Sequence, residues 1–212
     1  MSRLPMLLVS FASLGSAALG ALPGCADKID HAQPDAAPSP DAAPADAAPA
    51  GKVQTTRGAD ATYTTIVDST SETAWIYADL ETGKAVDATA AWDLRFQRFH
   101  ISTNSGVSGS GGVQVAAVSG TAFADVTATP ADGYLADTDD QNGDGLPDYV
   151  FDQGDGWYDY DPATHVLTPK PTVWVVKTDG GSGPSATLKL EIVKYYDAAG
   201  TPAWFTLHWA PL

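Results

Sequence analysis

Alternation with a period of two runs through most of this 212-residue chain downstream of residue 55. β-Branched and aromatic residues recur at every second position in residues 62–67, 74–80, 92–101, 113–118, 173–177, 187–196 and 204–209. That period places successive side chains on opposite faces of a strand. No stretch of ten residues shows helical spacing, although residues 85–91 read as one short helix. The breaks between the runs, Glu81-Thr82-Gly83 and residues 104–112, 178–185 and 197–202, are rich in Gly, Asp, Asn, Ser and Pro, the residues that make turns. Residues 177–190 and 194–204 therefore read as hairpin connections. The expectation is an all-β fold, mainly antiparallel sheet, with at most one short helix.

The first 54 residues obey different rules. Arg3 is the only charged residue before Cys25, and residues 6–22 are apolar or small, as in an export signal. Leu22-Pro23-Gly24-Cys25 resembles a bacterial lipobox, with Pro23 standing where a small or aliphatic residue is usual. Cys25 is the sole cysteine, so an internal disulfide and a thiolate metal cluster are both excluded. Its place directly after the apolar stretch points to acylation, which would attach the protein to a membrane through lipid alone. Ala26, rather than Asp, after the Cys favours sorting to the outer membrane. Residues 25–54 are dominated by Pro, Ala and Asp. Proline removes hydrogen-bond donors, aspartates repel one another, and little large apolar surface is available to bury. This stretch reads as a disordered tether, and at roughly 3 Å per residue it would reach tens of ångströms. His31 falls in it by composition. Residues 1–24, 25–54 and 55–212 thus divide into signal, tether and one β-rich domain large enough for a core.

The net charge of −15 argues against nucleic acid and against electrostatic attachment to anionic lipid. No GxSxG, no HExxH and no cysteine nucleophile is present in the domain, and the chain is not expected to be an enzyme. Part of the negative charge is concentrated in one loop. Asp140, Asn142 and Asp144 occupy positions one, three and five of a calcium-loop pattern, Gly145 the sixth and Asp148 the ninth. Position twelve is Phe151 and Asp152 comes one place late, so the loop is nearer to short Asp-rich extracellular calcium repeats than to an EF-hand. A structural Ca²⁺ would neutralise carboxylates that otherwise repel.

Histidine supplies the other candidate ligands. His165 lies in a loop-like stretch from Tyr160 to Pro169, close to Trp157, Tyr158 and Tyr160; a neutral imidazole ligates iron and aromatic faces pack on a flat macrocycle. If residues 92–101 form one strand, Trp92, Leu94, Phe96, Arg98 and His100 share a face, opposite Asp93, Arg95, Gln97, Phe99 and Ile101. Thr103-Asn104-Ser105-Gly106 and the glycines through Gly112 read as turn-makers, since no P-loop pattern accompanies them.

Two segments, residues 91–112 and 156–178, resemble the HmuY family of haem-binding surface lipoproteins. The first carries Trp92-Asp93, the alternating run with Phe and Arg, and Thr103-Asn104-Ser105-Gly106; the second carries Thr164-His165 and, two residues on, Thr168-Pro169 before a β-rich run. The resemblance extends over residues 63–212 and includes residues 189–197. It implies haem as the ligand, His165 as an axial ligand, and an outer-membrane haem receptor as partner. Both methionines, Met1 and Met6, lie in the signal, which excludes methionine ligation in the mature chain. His100, His208 and a tyrosinate such as Tyr134 stay open for the second position, with His100 preferred because it lies in a matching segment. The alternatives are a calcium-stabilised adhesion or glycan-binding envelope lipoprotein without haem, and a purely structural one.

Overall fold

The computed structural model describes residues 51–180 and 185–212, all within one compact unit of the chain. The export signal, Cys25 and nearly all of the tether lie outside the described residues. Among the described residues twelve strands follow in order: β1 (Val53–Arg57), β2 (Tyr63–Asp68), β3 (Ile76–Asp79), β4 (Lys84–Val86), β5 (Leu94–Gln97), β6 (His100–Thr103), β7 (Gln114–Ser119), β8 (Tyr158–Asp161), β9 (Val166–Pro169), β10 (Thr172–Lys177), β11 (Thr187–Tyr196) and β12 (Pro202–Pro211). Phe123–Asp125 and Val150–Asp152 form 3-10 turns. β1 begins at Val53, so the sheet takes in two residues that composition assigned to the tether. The short helix expected at residues 85–91 is absent: Lys84–Val86 pairs with β3 instead, because that edge offers ladder bonds and so short a helix would have no packed face. Among the described residues no helix is long and apolar enough to cross a membrane.

The strands form a six-stranded sheet ordered β1-β2-β12-β11-β10-β7, a four-stranded sheet ordered β4-β3-β5-β6, and the β8-β9 ribbon, with antiparallel pairing throughout. The two larger sheets bury a common core. Phe205, Leu207 and Trp209 of β12 point into it as their alternation requires, and Phe96 of β5 meets Phe205 at 5.3 Å between ring centroids. Full burial of each such side chain is worth about 1.5–3 kcal/mol. β10 is buried on both faces. Trp174 and Val176 join the main core, while Val173 and Val175 pack with Val126, Val118, Phe123, Tyr134 and Leu212 in a second, smaller one.

Irregular backbone sets which residues reach the core. In β11 the register against β12 slips between Ile192 and Lys194 and again before Tyr196. This bulge moves the alternation by one, so Tyr195 turns inward and Val193 and Lys194 face solvent. Tyr195 then reaches Trp157 at 5.5 Å and Phe205 at 5.2 Å. Burial lifts the Tyr195 phenol to about 12. Trp157, 1% exposed, is the root of the β8-β9 ribbon, and its indole N–H donates to the carbonyl of Phe99 at 3.1 Å. That bond ties the ribbon to the β5-β6 turn.

Candidate functional site

Residues 92–101 do not form one strand. The chain turns back at Arg98-Phe99, with Gln97 opposite His100 and Phe96 opposite Ile101. Arg98 adopts φ +53°, unusual for a residue with a Cβ, and nothing in Gln-Arg-Phe-His signals a turn. Ser69 supplies what the local sequence lacks: its carbonyl accepts the Arg98 N–H at 2.8 Å and its hydroxyl donates to the Arg98 carbonyl at 2.9 Å. Opposed residues in an antiparallel pair share a face. His100 therefore lies with Gln97, Arg95 and Ser102, opposite to the Leu94 and Phe96 face on which an uninterrupted strand would have put it. Its ring packs against Phe99 at 4.1 Å and Tyr149 at 5.5 Å, and its Nδ1 is 3.5 Å from Asp152 Oδ2.

The stretch read as a loop around His165 is a hairpin. Tyr160 opposes Leu167, Asp161 opposes Val166, and residues 162–165 form the tip. Asp161 closes that tip, accepting from Ala163 N at 2.8 Å and Thr164 Oγ1 at 2.7 Å, while its carbonyl takes His165 N at 2.8 Å. The Thr164 hydroxyl, and then the Ala163 amide, hold the Asp161 carboxyl below the ordinary range. His165 itself is exposed, at φ +58°, with Nδ1 hydrogen-bonded to the Tyr160 hydroxyl. Tyr158 and Tyr160 share one face of β8, and Tyr158 stands 6.1 Å from Phe99. Phe99 and Tyr160 are 36% and 50% exposed, so an open aromatic row links the neighbourhood of His100 to the hairpin tip of His165.

The other second-ligand candidates are engaged elsewhere. His208 Nδ1 pairs with Glu191 Oε1 at 2.8 Å across β11-β12, and its ring lies on Phe123 at 4.2 Å. Tyr134 packs into the second core, with the Lys177 ammonium 3.4 Å from its ring centroid and its hydroxyl buried without a hydrogen-bond partner. Burial raises its phenol, which works against tyrosinate formation.

The acidic loop is stapled by its own side chains. Asp140 accepts from Gly143 N at 2.6 Å and Gly145 N at 2.9 Å, bonds that hold its carboxyl below the usual range, the Gly145 amide contributing most. Asn142 accepts from Asp144 N, Asp144 accepts from Leu146 N, and Asp148 receives Gln141 N and Asn142 Nδ2. The loop and His100 face one cavity of about 440 Å³, whose walls include His100, Asn142, Asp144, Asp148, Tyr149 and Asp152. Neither His165 nor Asp140 lines it.

Three carboxylates to which sequence reading gave no ligand role converge elsewhere. Asp79, Glu81 and Asp93 bring oxygens within 4.8 Å of one another. Asp93, fully buried, accepts Leu80 N at 2.7 Å and Asp179 N at 3.2 Å, and burial pushes its carboxyl up to about 7. Burial also raises Glu81, whose Oε1 takes a hydrogen bond from Thr178 Oγ1. Asp79 ends β3, Glu81 lies in the turn between β3 and β4, and Asp93 sits just before β5, so no linear spacing reveals them. Asp137 was equally invisible. It is 1% exposed and accepts from Ser102 Oγ at 2.8 Å, Thr103 N at 3.0 Å and Val150 N at 3.0 Å, clamping the Val150–Asp152 turn to β6. The turn-maker reading of residues 103–112 has a specific form. Asn104 donates to the Trp92 carbonyl at 2.8 Å and accepts from Gly111 N at 3.1 Å, and Gly109 and Gly111 pass too close to its side chain to carry a Cβ.

In this all-β module an aromatic row runs between the neighbourhood of His100 and the hairpin tip that carries His165. The chain belongs to the HmuY family: the family model described as HmuY protein matches residues 71–209. Among solved structures it is similar to the apo form of a HmuY analog of Tannerella forsythia, at TM-score 0.55 and 15% identity, covering 76% of this chain and 96% of that one. A candidate HmuY-like haem-binding protein of Bacteroides vulgatus is similar at TM-score 0.54 and 19% identity, with 75% and 96% covered. A candidate lipoprotein of Bacteroides fragilis is similar at TM-score 0.51 and 19% identity, with 74% and 94% covered. At these identities the likeness is one of fold. Comparison with curated proteins gives no match.

Proposed function

We propose that this protein is a lipid-anchored haem-binding protein of the bacterial envelope, displayed on the outer membrane, that captures haem for delivery to an uptake receptor. His165 is the first axial ligand in this reading and His100 the second. What carries it is membership of the HmuY family together with the aromatic row between these two histidines. The donor set suits iron porphyrin. Imidazole nitrogen ligates haem iron, and Phe99, Tyr158 and Tyr160 offer faces for the macrocycle. Both Nδ1 atoms are turned to a protein oxygen, Tyr160 Oη for His165 and Asp152 for His100, which leaves Nε2 as the metal-facing atom of each ring. Bound haem would supply only its iron and its apolar surface; the chain's part is to hold and orient them. Cys25 carries the anchor, and Asp140, Asn142, Asp144 and Asp148 hold a structural Ca²⁺ that braces the wall of the His100 cavity.

The test is an absorbance titration of the chain from Ala26 onward with haemin, oxidised and reduced. A saturable Soret band is expected, altered and weakened in His165→Ala and His100→Ala and unchanged in His31→Ala. No saturable change in the wild type would end the haem reading and leave the calcium-stabilised adhesion or glycan-binding alternative.

A further inference from the structure

The His100 cavity holds two polar groups whose hydrogen-bonding capacity is unmet. His100 Nδ1 is enclosed and lacks a hydrogen-bond partner, and Asp152 Oδ1 is in the same condition. They are neighbours: the other Asp152 oxygen is 3.5 Å from that Nδ1, longer than a normal hydrogen bond. The His100 side chain keeps 22% exposure although Nδ1 is enclosed, so the open edge of the ring is the one that carries Nε2.

The pairing is built from both sides. Asp152 ends the Val150–Asp152 turn and His100 begins β6, and the two elements are fastened together by Asp137, which takes Val150 N from one and Ser102 Oγ and Thr103 N from the other. Tyr149 closes the ring's flank at 5.5 Å. An imidazole that gives Nδ1–H to a carboxylate has its Nε2 lone pair free and its ring orientation fixed, the condition in which metal-ligating histidines are usually held.

We infer that Asp152 is the positioning residue for His100: it accepts Nδ1–H, holds the Nε2-bare tautomer, and presents Nε2 to haem iron. The iron part rests on the haem reading above; the tautomer part does not. Iron bound at Nε2 would draw electron density from the ring and strengthen the interaction of Nδ1–H with the Asp152 carboxylate.

Long-range ¹H–¹⁵N spectra of the ligand-free chain from Ala26 onward, at a pH where His100 is neutral and with its signals identified by their loss in His100→Ala, read the tautomer directly. Wild type should show a protonated Nδ1 and a bare Nε2. Asp152→Leu, which removes the acceptor and keeps water out, should move the proton to Nε2, and Asp152→Asn, which keeps an acceptor oxygen, should restore most of the wild-type pattern. Near-ultraviolet circular dichroism checks that each variant is folded. Haemin affinity should fall about 10–100-fold in Asp152→Leu and less in Asp152→Asn. A wild-type His100 carrying its proton on Nε2 overturns the assignment without any variant, as does a tautomer unchanged in folded Asp152→Leu. If the tautomer behaves as expected but wild type takes up no haem, the haem reading falls and the positioning of His100 by Asp152 stands.

Discussion

Removing the Asp137 carboxylate should cost this domain a large part of its stability, and the way it does so discriminates between a charge effect and a hydrogen-bond effect. Asp137 is 1% exposed and accepts bonds from two backbone amides and one hydroxyl, all buried: Thr103 N and Ser102 Oγ on Oδ2, Val150 N on Oδ1. A hydrogen bond to a charged group contributes about 1.5–3 kcal/mol, and a buried donor left unsatisfied costs about 1–3 kcal/mol. Because the three donors share one acceptor and relax together, the sum is not additive. Asp137→Ala should therefore lose about 3–5 kcal/mol. At about 2–4 °C per kcal/mol for a domain of this size, the melting temperature should drop by roughly 10 °C or more.

Asp137→Asn is the sharper variant. It keeps the size and one acceptor oxygen, but its amide NH₂ must face either Val150 N–H or the Ser102 and Thr103 donors, setting donor against donor. It should be nearly as damaging as Ala. Urea denaturation followed by tryptophan fluorescence measures both, and Ser102→Ala should lose only about 1–2 kcal/mol. Asp137→Asn within about 1 kcal/mol of wild type would refute the reasoning, because one oxygen would then suffice for all three donors. The same clamp holds the Asp152 turn against β6, so haem affinity should fall in the Asp137 variants even where the domain remains folded.

Gly106→Ala should be severely destabilising, since the added Cβ would lie 1.8 Å from the Asp137 carbonyl oxygen at φ +57°, whereas Gly143→Ala, at φ +83° with open space around it, should cost only about 1 kcal/mol; thermal melts compare them. Burial lifts Asp93 from 3.8 to about 7, so the folded state binds that proton more tightly than the unfolded chain. Its contribution is fully present below pH 3.8 and is lost as pH rises to about 7, so the stability difference between wild type and Asp93→Asn should vary across that window and level off above it. A difference independent of pH in urea titrations would show that Asp93 does not titrate there. Chelator should lower the melting temperature of wild type but not of Asp140→Ala; at a hundredfold excess of Ca²⁺ over Kd the expected stabilisation is about 2.7 kcal/mol. Equal melting curves with and without chelator would identify the loop as a solvated turn.

The strands were legible where a single rule decides them. β2, β10 and β12 alternate or run apolar because each must bury a face against the other sheet, and no neighbour is needed to see it. The β5-β6 turn was not, because Arg98 takes a left-handed conformation that its own sequence disfavours and Ser69 stabilises from 29 residues away. The same failure moved His100 to the wrong face. His165 was singled out by the family resemblance of its segment, while the hairpin that displays it depends on Trp157 reaching the Phe99 carbonyl. Asp137 carried no local signal, since acidic residues in loops ordinarily meet solvent, and Asp93 was legible only as part of a strand and of the Trp92-Asp93 pair.

What the sequence determined by itself follows from short-range physics. Side-chain period and turn residues dictate an all-β antiparallel domain, the lone Cys25 rules out an internal disulfide, and residues 140–148 are bound to make a tight acidic loop. Tertiary structure decided which polar groups come together: Asp152 beside His100, Asp137 under both their elements, three carboxylates in one cluster around buried Asp93, and Tyr195 turned inward by a bulge. These choices depend on desolvation and on pairing between groups far apart in the chain. Their energies exist only after the sheets have packed, so no window of residues contains them.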